Sequence, residues 1–162
     1  MTDAVVCNAG PLIALALLDK LELLPDLFRR VLVPQRVYLE VLAGGRNGAG
    51  LDAIGTAAHL LEVTGAPQAD PMLTAMLDEG EAAVIALAGA EGISHVLLDE
   101  RKGRRIARKI YGLTVWGTAR VLIEAKLSGL LPTVRDELLT LQKHGYWLGD
   151  EVISEACRLA GE

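Results

Sequence analysis

The segment His95–Lys109, HVLLDERKGRRIARK, is the most informative part of this chain. It begins with an apolar run, His95–Leu98, which predicts a buried strand, and the carboxylates of Asp99 and Glu100 follow where that strand ends. Residues 101–109 then carry six Lys or Arg side chains and predict a helix. A strand that leads directly into a helix is the repeating unit of α/β proteins. We therefore expect an acidic strand end and a basic helix to lie side by side.

The same alternation extends through most of the chain. Short apolar runs predict four more strands, and each run is continuous rather than alternating with polar residues. They are Ala4–Cys7, Arg30–Val33, the segment LLEVTG at 60–65 and Leu113–Trp116. Continuous apolar strands separated by helices indicate a parallel sheet that is covered on both faces. The predicted fold class is therefore α/β, with a parallel sheet of about five strands.

Helical spacing predicts the elements between the strands. The candidates are GPLIALALLDKLELL at 10–24, QRVYLEVLAGG at 35–45, residues 51–58, DEGEAAVIALAGAEG at 78–92 and the basic segment. From Thr118 onward only helical patterns follow, so residues 119–162 are predicted to be a helical portion packed on the sheet. The glycine-rich segment Ala43–Gly50 predicts a mobile loop.

Composition limits the kinds of protein that this can be. The length of 162 residues favours a single domain over 1–162. The formal net charge of −5 argues against a protein that coats nucleic acid by bulk charge. Cys7 and Cys157 form no CxxC pair, which suits a reducing cytoplasm. The apolar stretch Ala9–Leu18 is shorter than the ~20 residues of a membrane span. No basic segment precedes it, so we expect a cytoplasmic protein without a membrane anchor.

Four side chains are candidates for one functional site. Ligands of parallel sheets bind outside the carboxyl ends of the strands, where Asn8 and Asp99 follow the first and fourth strands. Glu40 and Glu81 lie on the apolar, inward faces of their helices, where an unpaired acid is uncommon. We therefore expect the four to converge on one crevice. Oxygen ligands without His or Cys describe a site for Mg²⁺ or Mn²⁺.

Capping offers an alternative explanation for three of these side chains. Asp78 and Glu81 form a D-x-x-E pair that is typical of a capping box. Asp99 could cap the basic helix, and Asn8 could cap the first helix. The structural alternative is weakest for Glu40, because an inward acid in the middle of a helix caps nothing.

The basic helix also has two interpretations. Arg101, Arg105 and Arg108 fall at i, i+4 and i+7, with Arg104 beside them. This stripe is either a solvated helix face or a set of contacts to the phosphates of a nucleic-acid backbone. Arginine suits the second interpretation because its planar fork matches phosphate oxygens.

Five segments of the chain resemble PIN-domain proteins in order and spacing. They are VVCNAGPLIALALLDKLELL, VPQRVYLEVL, LDEGEAAVIALA, HVLLDERKGRRIAR and TVWGTARVLIEAK. They are most similar to the branch that opens with an Asn-Ala-Ser/Gly-Pro-Leu-Ile type of motif and is grouped with VapC-like toxins. The resemblance covers nearly the whole chain. It implies a three-layer α/β/α sandwich, often dimeric, with Mg²⁺- or Mn²⁺-dependent ribonuclease activity and a small antitoxin as partner.

The resemblance also implies which residues form the site. By matching motif, the metal-binding and catalytic set falls on Asn8, Glu40, Glu81 and Asp99, and Thr118 matches a polar position of the same cleft. Typical PIN nucleases have Asp at the first of these positions, followed soon by a hydroxyl residue, whereas this chain has Asn8 and Gly10. The amide removes one negative charge from the site. We therefore expect weak or single-metal catalysis.

The leading hypothesis is a metal-dependent endoribonuclease, the toxin of a toxin–antitoxin pair, that cleaves RNA with metal-activated water. Arg101, Arg104 and Arg105 would guide the RNA. The alternative is a module that binds RNA or protein without cutting, because Asn8 is neutral. A phosphate- or small-ligand-binding domain is disfavoured, because neither common glycine-rich phosphate loop is present. Tyr146 and Trp147 are either core residues or anchors for a dimer or antitoxin.

Overall fold

The computed structural model describes residues 1–43, 51–146 and 148–162. In these residues the chain forms one five-stranded sheet in the order β3-β2-β1-β4-β5, with every pair of neighbours parallel. The strands are β1 Thr2–Cys7, β2 Phe28–Pro34, β3 Glu62–Thr64, β4 His95–Leu97 and β5 Thr114–Trp116. Helices flank the sheet in a three-layer α/β/α arrangement. The predicted fold class is therefore confirmed.

The helices follow the predicted alternation with the strands. They are α1 Ala9–Leu17, α2 Leu23–Leu27, α3 Gln35–Leu42, α4 Leu51–Ala57, α5 Pro71–Met76, α6 Glu79–Glu91, α7 Arg101–Lys109, α8 Thr118–Leu127, α9 Val134–Lys143 and α10 Asp150–Leu159, with a 3₁₀ turn at Ala58–Leu60. None of the described helices is long and apolar enough to cross a membrane.

The structure divides the predicted helix over 10–24 into α1 and α2. Asp19 adopts the left-handed conformation, with φ of 55°, and an aspartate tolerates this better than most residues. The amide of Lys20 donates to the Leu15 carbonyl over 2.8 Å, and Asp19 donates to Ala16 over 3.0 Å. These two bonds form a Schellman motif, which ends α1. The prediction of one long helix was therefore wrong.

The sequence prediction also omitted α5. Pro71 stands in the first turn of this helix, and Asp70 caps it by accepting a hydrogen bond from the Met72 amide over 2.8 Å. Proline just inside a helix and aspartate just before it are a recognised start signal.

The C-terminal helices are tied together by Glu162. Its carboxylate accepts hydrogen bonds from the Thr133 hydroxyl and the Val134 amide, over 2.5 and 2.6 Å, and lies 3.5 Å from Lys126 Nζ. Burial alone would raise the pKa of Glu162, but these hydrogen bonds and Lys126 lower it. The side chain of residue 162 therefore caps the start of α9. The two helices α9 and α10 pack on α8, which contacts β5 and α1.

Two sequence predictions concern residues that the structure does not describe. The proposed mobile loop at 43–50 lies, apart from Ala43, outside the described residues, and so does Trp147. Tyr146 is partly buried against the core, and its hydroxyl donates to the Gly10 carbonyl over 3.3 Å.

The order of the strands places a crevice beside β1. The chain passes from β1 to β2 on one side, whereas β4 pairs with β1 on the other side. Cys7 is opposite Leu97, and the Asn8 amide donates to the Leu97 carbonyl over 3.1 Å. The carboxyl ends of β1 and β4 therefore meet at the switch point of the sheet, where ligands of such folds bind.

Candidate metal and nucleic-acid site

Asn8 provides an oxygen atom whose bonding is incomplete. The residue stands at the N-cap position of α1, but its side chain makes no capping hydrogen bond. Its Oδ1 atom is buried and has no hydrogen-bond partner among the described residues. The capping alternative for Asn8 is therefore wrong. A buried acceptor without a partner carries a free-energy cost, which a ligand at this position would remove.

Three oxygen atoms surround the space above Gly80, at the start of α6. A Cβ atom built on Gly80 would lie 3.0 Å from Glu40 Oε2, 3.3 Å from Asn8 Oδ1 and 3.5 Å from Asp78 Oδ1. The oxygens come from α3, from the end of β1 and from the residue before α6. The structure thus brings Asn8 and Glu40 together, as the sequence predicted, and the missing side chain of Gly80 leaves room between them.

Glu81 lies next to this group and is only 5% exposed. Its carboxylate packs against Gly103 of α7, where a Cβ atom would collide with it. Burial, the hydrogen bond and charge of Asp78, and the charges of Glu100 and Glu40 raise the pKa of Glu81 to about 8. The surroundings of Glu81 therefore disfavour the ionised form of its carboxyl group.

Asp78 both caps α6 and faces the other oxygen atoms at Gly80. Its Oδ1 accepts a hydrogen bond from the Glu81 amide over 2.8 Å, so it caps α6 as the D-x-x-E pair predicts. The same atom faces Asn8 and Glu40 across Gly80. Although Glu40 is exposed as a residue, burial of its carboxyl group and the charge of Asp78 raise its pKa. Sequence reasoning assigned only the cap to Asp78.

Asp99 is held by Thr118 rather than by the basic helix. Its Oδ1 accepts from the Thr118 amide over 2.7 Å, and its Oδ2 accepts from the Thr118 hydroxyl over 2.6 Å. Its Oδ2 also lies 3.6 Å from the position of a Cβ on Gly10, in the first turn of α1. Asp99 thus joins the end of β4 to the start of α8, and the prediction that it might cap α7 was wrong. Thr118, predicted as a polar residue of the cleft, is buried against Asp99.

The arginines of α7 differ in how far they are engaged. Arg104 is half-buried, and its guanidinium donates to the Leu98 carbonyl over 2.9 Å. Arg108 donates to the Val115 carbonyl over 3.2 Å. Arg101 and Arg105 are exposed and form no ion pair or side-chain hydrogen bond within the described part of the chain. These two are therefore the arginines of the predicted substrate-binding set that remain available to a ligand, whereas Arg104 anchors the end of β4.

The residues at Gly80 suit a hard cation, although not through carboxylates alone. In the described ranges no three His, Cys, Asp or Glu side chains form a group that could hold a metal ion. The oxygens of Glu40, Asp78 and Asn8 form a mixed set of two carboxylates and one amide. Such a set is typical of Mg²⁺ and Mn²⁺ ligation. The unpartnered Asn8 oxygen is the observation that supports this fit.

The fold and this oxygen-lined crevice define a parallel α/β protein with a candidate cation site at the switch point of its sheet. The model of the PIN-domain family DUF3368 matches residues 4–162. The chain therefore belongs to the PIN-domain family. PIN domains are generally nucleases, and they typically use divalent metals. No curated protein and no solved structure matches the chain.

Proposed function

We propose that this protein is a metal-dependent endoribonuclease and the toxin of a toxin–antitoxin pair, in the VapC-like branch of the PIN family. One observation carries the proposal. The buried, unpartnered Oδ1 of Asn8 faces carboxylate oxygens of Glu40 and Asp78 around Gly80, at the switch point of the sheet. Membership of a family whose members are generally nucleases supports the same conclusion.

The acids of the crevice have distinct parts in this proposal. Asn8, Glu40, Glu81 and Asp99 would together hold Mg²⁺ or Mn²⁺. A divalent cation in such a site lowers the pKa of a water molecule and offsets charge on the leaving oxygen. Thr118 fixes the orientation of the Asp99 carboxylate through two hydrogen bonds. Glu81, whose pKa is raised to about 8, would have to lose its proton in order to act as a ligand of the cation.

The basic helix supplies the contacts to RNA. Because the net charge of the chain is −5, a polyanion must be held by a local cluster. Arg101 and Arg105 are exposed on α7, which begins two residues after Asp99. Their guanidinium groups can bind the phosphates that flank the scissile bond. Arg104 supports this surface by holding the Leu98 carbonyl.

The cleft that Glu40, Asp78 and Gly80 line would accept a segment of a small antitoxin. It has a volume of about 610 Å³ and lies between α3 and the start of α6. Leu39, which is 58% exposed, borders it next to Glu40, and Arg36 forms an ion pair with Glu79 at its edge. An apolar side chain among carboxylates suits a partner segment that carries both apolar and basic residues. The proposal also includes a cytoplasmic location and a homodimeric state. Sedimentation equilibrium tests the oligomeric state.

Ribonuclease assays with matched variants test the catalytic part. Structured and unstructured RNAs are incubated with the protein in Mg²⁺, in Mn²⁺ and in EDTA. We expect cleavage with either cation and a loss of at least tenfold in Glu40→Gln and in Asp99→Asn. Glu91→Gln is the matched control, because Glu91 is exposed at the far end of α6. Cleavage that is equal in all four proteins contradicts the assignment.

The toxin role has its own test. Expression of the protein alone should arrest growth of the host cells, and co-expression of the reading frame that adjoins its gene should relieve the arrest. Growth that is unaffected by the active nuclease would separate the enzymatic proposal from the toxin proposal.

The neutral side chain of Asn8 favours a second candidate, a module that binds RNA or protein without cutting. The variant Asn8→Asp distinguishes the two. A weak nuclease should cleave faster when the first ligand becomes a carboxylate, whereas a pure binding module should show no cleavage in either form.

A further inference from the structure

The charge of the candidate cation site is distributed differently from that of typical PIN nucleases. The usual first Asp is replaced by Asn8, whose amide oxygen is neutral. The structure places a carboxylate close by, because Asp78 Oδ1 and Asn8 Oδ1 lie 3.5 and 3.3 Å from the same point above Gly80. A charge that is missing at the end of β1 is thus present at the start of α6.

The backbone fixes Asp78 in this position. Asp78 is the N-cap of α6, with φ of −68° and ψ of 168°, and its Oδ1 accepts the Glu81 amide over 2.8 Å. A carboxylate has about four lone-pair positions, so capping leaves it able to bind a cation as well. Its charge also offsets the positive N-terminal end of the helix dipole, which would otherwise repel a cation at Gly80.

The Asn8 oxygen shows, independently of the acids, that this space suits an electron-pair acceptor. It is buried and unpartnered among the described residues, and the other two oxygens at Gly80 belong to carboxylates. Asn8, Glu40 and Asp78 all present acceptor atoms, and none of these atoms can satisfy another. A cation or a proton donor in this space would give the Asn8 oxygen the partner that it lacks.

We propose that Asp78 is a cation ligand of this site and supplies the negative charge that Asn8 omits. The inference rests on the proposed function and adds to it a residue outside the set that the family resemblance implies. The inference predicts that the carboxylate can be moved from position 78 to position 8 without loss of cation binding. The double variant Asn8→Asp/Asp78→Asn keeps the same charge around Gly80, and asparagine remains a good cap for α6.

Titration with Mn²⁺ tests the inference without any use of catalysis. Isothermal titration calorimetry, with free Mn²⁺ followed by electron paramagnetic resonance, gives the Kd of each protein. We expect Asp78→Asn to weaken binding at least tenfold and the double variant to return to within about threefold of the wild type. Asp70→Asn is the matched control, since Asp70 caps α5 through the same 2.8 Å bond, here to the Met72 amide. It should bind Mn²⁺ as the wild type does.

The possible results separate this inference from the proposed function. If Glu40→Gln weakens binding but Asp78→Asn does not, the site is real and the inference is overturned. The inference is also overturned if Asp78→Asn weakens binding and the double variant does not restore it, because the charge at position 78 then does not substitute for one at position 8. Wild-type protein that binds no Mn²⁺ overturns both. Circular dichroism verifies the fold, and Asp78→Ser, which also caps a helix, serves if Asp78→Asn does not fold.

Discussion

A methyl group on Gly80 would occupy the space that we assign to the cation. In Gly80→Ala the new Cβ lies 3.0 Å from Glu40 Oε2 and 3.3 Å from Asn8 Oδ1. The contact with Glu40 is relieved cheaply, because that oxygen is at the end of a flexible side chain. The variant should therefore fold normally while the oxygens can no longer close around an ion.

The substitution itself and the binding of a cation should change Tm by clearly different amounts. Alanine is favoured over glycine in a helix by up to about 1 kcal/mol, so Gly80→Ala should unfold at the wild-type Tm or up to about 4 °C above it. One cation that binds only the native protein adds ~2.7 kcal/mol at a hundredfold excess over Kd. For a chain of this size that corresponds to a rise of roughly 5–10 °C in Tm. The wild type should show this rise, and Gly80→Ala should lose most of it.

Thermal unfolding followed by circular dichroism measures both quantities, in EDTA and in millimolar Mg²⁺ or Mn²⁺. Gly89→Ala is the matched control, because Gly89 lies on the same helix and a Cβ there meets nothing within 4 Å. It should gain stability from helix propensity and keep the full response to the cation. A Gly80→Ala protein that responds to Mn²⁺ as strongly as Gly89→Ala would show that the cation does not bind between Asn8 and Glu40.

Three further predictions concern pH and salt. Because the folded-state pKa of Glu162 is lowered, its cap stabilises the protein above the unfolded value of 4.5, and this contribution is lost as the pH falls through the folded pKa. Glu162→Gln should cost about 1 kcal/mol at pH 7 in urea unfolding. Glu155→Gln, which breaks only an exposed ion pair with Arg158, should cost measurably less. The pKa of Glu81 is raised from 4.5 to about 8. In EDTA the free energy of unfolding should therefore decrease as the pH rises from 4.5 to about 8. Glu81→Gln should remove most of that decrease. Arg101→Gln and Arg105→Gln should each reduce the slope of log K against log salt for single-stranded RNA by about 0.7 in a fluorescence anisotropy titration.

Each of these predictions has a contradicting outcome. Equal stability of Glu162→Gln and Glu155→Gln would show that the cap of α9 contributes nothing. A Glu81→Gln protein with the wild-type pH dependence would place the raised pKa on another group. Unchanged salt slopes for both arginine variants would mean that RNA does not contact this face of α7.

The strands and the sheet could be predicted from the sequence because their signal is local. A continuous apolar run such as Ala4–Cys7 can be buried on both faces only between two layers of helices. The boundary between α1 and α2 could not be predicted in the same way. Apolar residues continue at helical spacing on both sides of Asp19, and its left-handed conformation depends on how the following residues pack.

The candidate site could be predicted only in part, for a related reason. Asn8 follows a strand and Glu40 lies next to the buried Val37 and Val41 stripe of its helix, so sheet geometry and helical phase are enough to bring them together. Asp78 comes to face Asn8 and Glu40 only because α3 packs against α6, and no local sequence pattern encodes that packing. The sequence pattern predicts phosphate contacts for every arginine of the stripe. Arg104 instead turns inward, because its guanidinium donates to the Leu98 carbonyl.

The pairing of β1 with β4 has a consequence for how the protein refolds. These two strands are hydrogen-bonded neighbours, although the intervening chain contains β2, β3 and most of the helices. Contacts between such distant segments are slow to form, because a long loop must close first. The carboxyl ends of β1 and β4, which Asn8 and Asp99 follow, come together only after that closure. After dilution from denaturant, the recovery of Mn²⁺ binding should therefore lag behind the recovery of helical signal and report when the central strands have joined.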